Sequence, residues 1–516
     1  MSSKAQQKKP RTSRIITADD RTKNYSSRRI CRSLELDNKA PFIRFGPVFG
    51  QDDVQIQTAK DESWQHVVRS NQDSSKATTT EIYMFAIREV EKEARDSYDF
   101  IDPKLTKMPG QQFRWMMIKD GCFFLQLSFS LLRGHDNQLG LKQHSITSSL
   151  NKHKCVASMF HVGNQIPLVV LRQLLEQKHF QNVIKNGKWE PPTSDLAKMT
   201  LFQVLISPVL ERRRHIRIPS NPFLRGIGRR LKQIWMHQLQ HQSCDVLHAL
   251  HLLLLGPETD PLKEDEEEDD GDDDEEEEGK EDERRDKCDL EAGGSVPRVR
   301  GIRIIAQNED EDEEDDDDGD YDTAVGDNDN GVRRHTSAEM KPKVKNATKL
   351  KQSGIHFRVI KTEGIRGIRF KSYLFYPHLS LPPLFVGSHT QLLLKSLKRY
   401  EISQKFDSSR REVSSYLQFM CDLIRTSEDV KLLVLYGIIK GNRKYTEKLP
   451  KILRNLASND RRDDTSLTLV IVQINSYYRP PWVTQFGQYL TLVFLLTFVQ
   501  TIYAILAYHK PPKDKK

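Results

Sequence analysis

The sequence predicts a mainly α-helical protein with a small β-hairpin element. It would be one large soluble domain, interrupted by a disordered acidic insert and followed by one C-terminal transmembrane helix. Three observations predict this. Apolar residues recur at three- and four-residue intervals in most segments, the spacing that gathers them on one helix face. Residues 263–330 carry 34 acidic and 8 basic side chains, with too little apolar surface to offset the entropy of ordering them. The run Tyr489–Tyr508, YLTLVFLLTFVQTIYAILAY, contains no charge. Its roughly 20 residues, at about 1.5 Å each, match a ~30 Å hydrocarbon core.

Taken in order, residues 1–60 are polar, basic and without sustained periodicity, and read as a disordered basic tail. An N-terminal helical part follows over 75–256. From Glu81, EIYMFAIREVEKEARDSYDFI sets Ile82, Phe85, Ala86, Glu89, Glu93 and Ala94 at helical intervals. Phe113–Leu132 is strongly apolar, and Asp120-Gly121 divides it into a strand-like piece and a buried helix. His161–Phe180 reads as a helix with Asn164 as N-cap and Pro167 in the first turn, where a missing N–H costs nothing. Its apolar face is Leu168, Leu171, Leu174 and Leu175. Gln233–Leu255 is a further helix, stopped by Gly256-Pro257.

The acidic insert extends over 263–345, and the second part of the domain over 346–475. GIHFRVIK alternates apolar and polar residues, IRGIRFKSYLFY follows, and Glu363-Gly364 between them signals a hairpin turn. LPPLFV continues in extended form. Helices are expected at Thr390–Tyr400 and Val413–Ile424. Another starts with Ser427 as N-cap and stops at Gly437, and a last one spans Thr446–Ala457. The membrane anchor, 489–508, includes Tyr489, Leu490, Leu495, Leu496, Phe498, Tyr503, Leu506 and Tyr508, with aromatic residues at both ends as bilayer interfaces favour. The lysine-rich tail 509–516 completes the chain.

Orientation sets two arguments against each other. Lys510, Lys513, Lys515 and Lys516 would favour a cytosolic tail. The first residues, MSSKAQQKKPRTSR, lack the apolar run of a signal peptide. A tail anchor with a cytosolic N-terminal domain is the preferred expectation, in a membrane the sequence does not specify. Six scattered cysteines without a CxxC pair argue for reduced thiols rather than a disulfide framework. Asn24-Tyr25-Ser26 and Asn346-Ala347-Thr348 fit the glycosylation sequon, which is used only in a lumenal compartment.

Several motifs, in order, resemble the plant family known as domain of unknown function 247. These are EVEKEARDSY, KDGCFFLQL, GNQIPLVVL, CDVLHALHLLLL, ATKLKQSGIHF, EDVKLLVLYGII and LTFVQTIYAIL. Each is weak alone, but their order over about residues 75–510 is specific. The motif residues include Asp120, Gly121 and Cys122, then Asn164, Gln165, Ile166 and Pro167. Gly163 replaces the acidic residue usual before Asn-Gln, and His161 interrupts the preceding aliphatic run. The resemblance implies a plant membrane-associated protein without established enzymatic activity. Some grass members lie at self-incompatibility loci as proposed pollen-side recognition determinants.

No catalytic constellation is expected. His237, His241, Cys244, His248 and His251 fall within an arc of about 80° on one helix, and imidazole and thiolate are good zinc ligands. One straight helix cannot close a tetrahedron, so packing is the preferred role. The carboxylates Glu89, Glu91, Glu93 and Asp96 interleave with Arg88, Lys92 and Arg95, which favours ion pairs along the helix. Cys122 lies among Phe123, Phe124 and Leu125 and reads as a buried, inert thiol.

The basic segment 211–235 reads first as a solvated loop, with contact to anionic lipid or to the acidic tract as the alternative, since the chain outside 263–330 is near +34 while the whole is +8. It carries no nucleic-acid motif. No cofactor is expected. The function expected is non-enzymatic recognition or signalling by a membrane-anchored protein, through a protein partner the sequence does not identify. The alternative is an enzyme of unrecognised chemistry with a polar pocket near Asn164, Gln165 and the 237–251 histidines.

Overall fold

The computed structural model describes residues 29–30, 40–70, 76–99, 107–133, 151–187, 189, 195–212, 243–257, 343–360, 364–372, 377–404, 406, 410–457, 466–478 and 481–509. The expected basic segment beyond residue 212, the acidic tract, His237 and His241 lie outside these residues. So do Asn24-Tyr25-Ser26 and the tail from Lys510.

The first helices are α1 (Val54–Ser70), α2 (Lys76–Asp96), α3 (Gly110–Arg133), α4 (Lys152–Met159), α5 (Leu168–Leu175) and α6 (Lys178–Asn186). Helix α7 (Leu196–Leu201) runs through a π-turn, Phe202–Ile206, into α8 (Ser207–Arg212), and α9 covers Val246–Leu255. Beyond the insert come α10 (Ala347–Gln352), β1 (His356–Val359), β2 (Arg369–Ser372), β3 (Pro377–Leu381) and β4 (Leu384–Val386). Next are α11 (Thr390–Ser403), α12 (Glu412–Leu423), α13 (Ser427–Leu435), β5 (Ile439–Gly441), α14 (Arg443–Thr446) and α15 (Leu449–Ala457). The chain ends with α16 (Ser466–Tyr477) and α17 (Pro481–His509). The protein is therefore mainly helical, as expected.

Its core is one apolar cluster that includes Trp64, Phe123, Leu171 and Leu250 before the insert, and Leu393, Leu417 and Ile474 after it. The described residues belong to one compact unit drawn from Met1–Thr259 and Lys341–Lys516. Loop-closure cost grows only logarithmically with length, so a long insertion can divide such a unit without dividing its core.

Several local expectations need correction. Asp120-Gly121 does not break its segment: α3 is continuous across it. Gly121 is retained for close packing, because a Cβ there would stand 2.3 Å from Leu174 Cδ1 of α5. The stretch from His161 is not one helix. Pro167 occupies the N-cap of α5, and Asn164 lies in the preceding loop with another role. The four leucines expected on its apolar face are all buried.

In α2 the buried stripe is Tyr83, Ala86, Ile87 and Ala94, while Ile82 and Phe85 are exposed. Apolar residues occur on both sides of that helix, and packing against α3 and α5 selects the Tyr83 side. The folded chain also reaches further towards the N-terminus than composition indicates. Ile43 and Phe45 are fully buried, and α1 starts within the stretch expected to be a tail.

The expected hairpin is also rearranged. Strand β1 pairs parallel with β3, and β2 pairs antiparallel with β3, so the order is β1-β3-β2. Strands β1 and β2, which the expected Glu363-Gly364 turn would join, do not pair with each other, and Glu363 lies outside the described residues. A parallel β4–β5 pair joins residues far apart in sequence, beyond the reach of a local turn signal. The cap of α13 is Thr426 rather than Ser427, in a capping box with Asp429.

Helix α17 is 29 residues long. Counted over the described residues alone, no helix is long and apolar enough to cross a membrane. The side chains of α17 are described at 489–490 and 492–506, and every one is exposed.

Candidate functional site

The polar residues of the DGC and NQIP motifs meet in one buried network. Lys60, from α1, places its ammonium 2.6 Å from Asp52 Oδ2 and 2.7 Å from Asp120 Oδ1. It also donates to the Arg44 carbonyl. Asp120 Oδ2 accepts from the Gly46 N–H at 2.8 Å, and Asp52 Oδ1 from the Arg44 N–H at 2.6 Å. Burial pushes the Lys60 pKa down, but Asp120 and Asp52 outweigh it and hold the ammonium above its ordinary value.

Asn164 completes the enclosure from the other side. Its Oδ1 accepts from the Phe45 N–H at 2.7 Å, and its Nδ2 donates to the carbonyls of Ile43 at 2.7 Å and Ser158 at 2.8 Å. The primary amide thus pairs with residues 43–45 as a strand's backbone would, offering both a donor and an acceptor. Gln165 Nε2 donates to the carbonyls of Met159 and His161, and Tyr98 donates to the Gln165 carbonyl at 2.9 Å. Gly163 takes φ 78°, which an acidic residue there would adopt only with strain. Ile166 is buried, and Cys122 is fully buried with its thiol pKa pushed up by burial, so its nucleophilic form is suppressed.

The histidine motif serves a second joint. Asp245 caps α9 through a 2.8 Å bond from the His248 N–H. Cys244 precedes that cap, so its helical alignment with the histidines fails, although its Sγ lies 3.4 Å from His248 Nδ1. His248 stacks on Tyr400. His251 Nε2 reaches Glu401 Oε1 at 3.2 Å, and Glu401 accepts from the N–H groups of Val413 at 2.8 Å and Ser414 at 3.0 Å. This carboxylate links α9, α11 and α12 across the insert. Among the described residues, no group of three or more His, Cys, Asp and Glu side chains could hold a metal ion.

A third anchor is Asp429, which accepts from Asn346 Nδ2 and from the N–H groups of Thr348 and Thr426. Burial alone would push its pKa up, but these bonds hold it below the ordinary carboxylate range. The amide of the Asn346 sequon is therefore engaged in packing. Of the helix carboxylates, Glu91 pairs with Arg95 at 2.9 Å, as intrahelical pairing predicts, and also with Arg114 at 2.6 Å.

These clamps bring together residues with the geometry of packing. Sequence reasoning missed Lys60, Asp52, Glu401 and Asp429, because each works through groups distant in the chain. The domain of unknown function 247 model, described as a plant protein of unknown function, matches residues 39–509. The chain belongs to that family. No curated protein matches it, and no solved structure does. Within the match, the DGC and NQIP motifs of this member of the domain of unknown function 247 family meet around residues 43–52.

A histidine pair, with His179 buried and His66 partly exposed, should make this domain acid-sensitive. His179 is 5% exposed, bonds through Nδ1 to the Ser70 hydroxyl, and meets the His66 ring at 5.5 Å. Burial first, and then His66, push its pKa down to about 4. A depressed histidine pKa means that the unfolded chain binds the extra proton. Stability is then lost as pH falls from about 6.5 towards 4, by about 3 kcal/mol in all. Denaturant melts of wild type and His179→Gln across this interval should show a shallower pH slope in the variant. Equal slopes would remove His179 as the cause.

Proposed function

We propose that this chain is a non-enzymatic, single-pass membrane protein. Its domain lies on the cytosolic side and acts by recognition or signalling towards a protein partner. The observation that carries the anchor is α17: its described side chains at 489–490 and 492–506 are exposed on every side, although eleven are Leu, Val, Ile or Phe. An uncharged apolar surface facing outwards all round is suited to lipid rather than water. The uncharged sequence run, longer than the described side chains, supplies the length for a span.

Recognition rather than catalysis is supported by the motif amides: both ends of Asn164 and the Nε2 of Gln165 are bonded to backbone groups. The enzyme alternative would require open polar groups where Asn164, Gln165, His248 and His251 are instead buried. The family's grass members at self-incompatibility loci make recognition of that type the form to test first. Tags at both ends, carbonate washing and protease protection test the topology. The expected result is retention in the washed membrane, digestion of the N-terminal tag and protection of the C-terminal one. Release by carbonate would overturn the anchor, and protection of the N-terminal tag would reverse the orientation.

A further inference from the structure

The chain around Lys343–Lys349 lies beside the start of α17. Helix α10 touches α17. Asn475 Nδ2 of α16 donates to the Lys343 carbonyl at 3.1 Å, and the Lys345 ammonium lies 5.9 Å over the Tyr478 ring. These contacts fix a lysine-bearing segment to the last turn before the anchor. Lys343, Lys345 and Lys349 are exposed. Helix α16 contains no charged residue. Its inner face buries Leu467, Val470 and Ile474, while Leu469 and Val472 are 70% and 50% exposed. Tyr477 and Pro481 bound a connection too short to move this surface more than roughly 14 Å from the start of α17.

We infer that Lys343, Lys345 and Lys349 form a basic collar that binds anionic phospholipid headgroups, with Leu469 and Val472 entering the interface beside it. This deepens the anchor reading and rests on it. A basic rim beside exposed apolar residues is the composition of interfacial membrane contacts. Each lysine held at an anionic surface strengthens association about five-fold. Three together should favour the docked state by roughly a hundredfold, fading as salt shortens the Debye length below ~8 Å. The segment lies far along the chain from 211–235, which sequence alone marks as the basic contact.

The test uses the full chain in lipid nanodiscs of phosphatidylcholine, alone or with about one-third phosphatidylserine. Hydrogen exchange is followed at 343–352 and 466–478. Exchange should be at least ~5-fold slower in the anionic discs, and Lys343→Gln, Lys345→Gln and Lys349→Gln together should abolish the difference. A control triple at the exposed lysines Lys154, Lys178 and Lys185 changes net charge equally and should preserve it. Equal exchange in both discs by a securely inserted chain would overturn the collar and leave the anchor standing. A chain that fails to insert would overturn the anchor, and the collar with it.

Discussion

Removal of Tyr489–Lys516 should transfer the protein from the carbonate-washed membrane to the supernatant, with essentially none retained. The uncharged run holds eleven exposed Leu, Val, Ile and Phe side chains. At about 0.5 kcal/mol each near the bilayer centre, they favour insertion by roughly 5 kcal/mol. Thr497 and Thr501 soften their own polar cost by returning hydroxyls to the carbonyls of Val493 and Thr497, which leaves Gln500 as the strongly polar side chain that offsets part of this. The fold should survive the cut. Ile474 and Val470, which help close the core, lie upstream in α16, and the deleted side chains that are described face outwards. An unchanged thermal melt with loss of membrane retention is therefore expected. Persistent carbonate resistance of the truncated chain would show that another surface holds the protein to the membrane.

Replacing Lys60 with Met should destabilise the domain by about 3–5 kcal/mol, the usual cost of removing one partner from buried charges. Met fills much the same volume, so the loss measures charge rather than a cavity. Two buried carboxylates, Asp52 and Asp120, would then face each other without their shared cation. Burial already holds the Asp120 carboxyl above the ordinary carboxylate range, against the pull of Lys60, and losing that cation would raise it further, so the damage should be greatest at neutral pH and should lessen as acid protonates it. Adding Asp120→Asn should restore part of the loss. It removes one negative charge while keeping an oxygen for the Gly46 N–H. Urea melts of the single and double variants give both numbers. A Lys60→Met effect below about 1 kcal/mol, or one that worsens in acid, would show that the network contributes little.

The sequence by itself determined the helical class, the family and the uncharged C-terminal run. Each is written locally: in the spacing of leucines such as Leu168, Leu171 and Leu175, in stop signals such as Gly256, or in composition. Tertiary structure alone decided what the motif residues do. Asn164 has the side chain of a helix cap, yet it pairs with residues 43–45 because the N-terminal segment comes within reach only after folding. Asp120-Gly121 has the form of a breaker, yet α3 runs through it because Lys60 engages the carboxylate and Leu174 fills the space a side chain would need. The strand order was beyond reach for the same reason. A turn signal favours neighbours in sequence, whereas β1 takes β3 as partner and β4 takes β5. Which side of an apolar helix is buried, and which carboxylate meets which cation, depends on surfaces that exist only when distant segments pack.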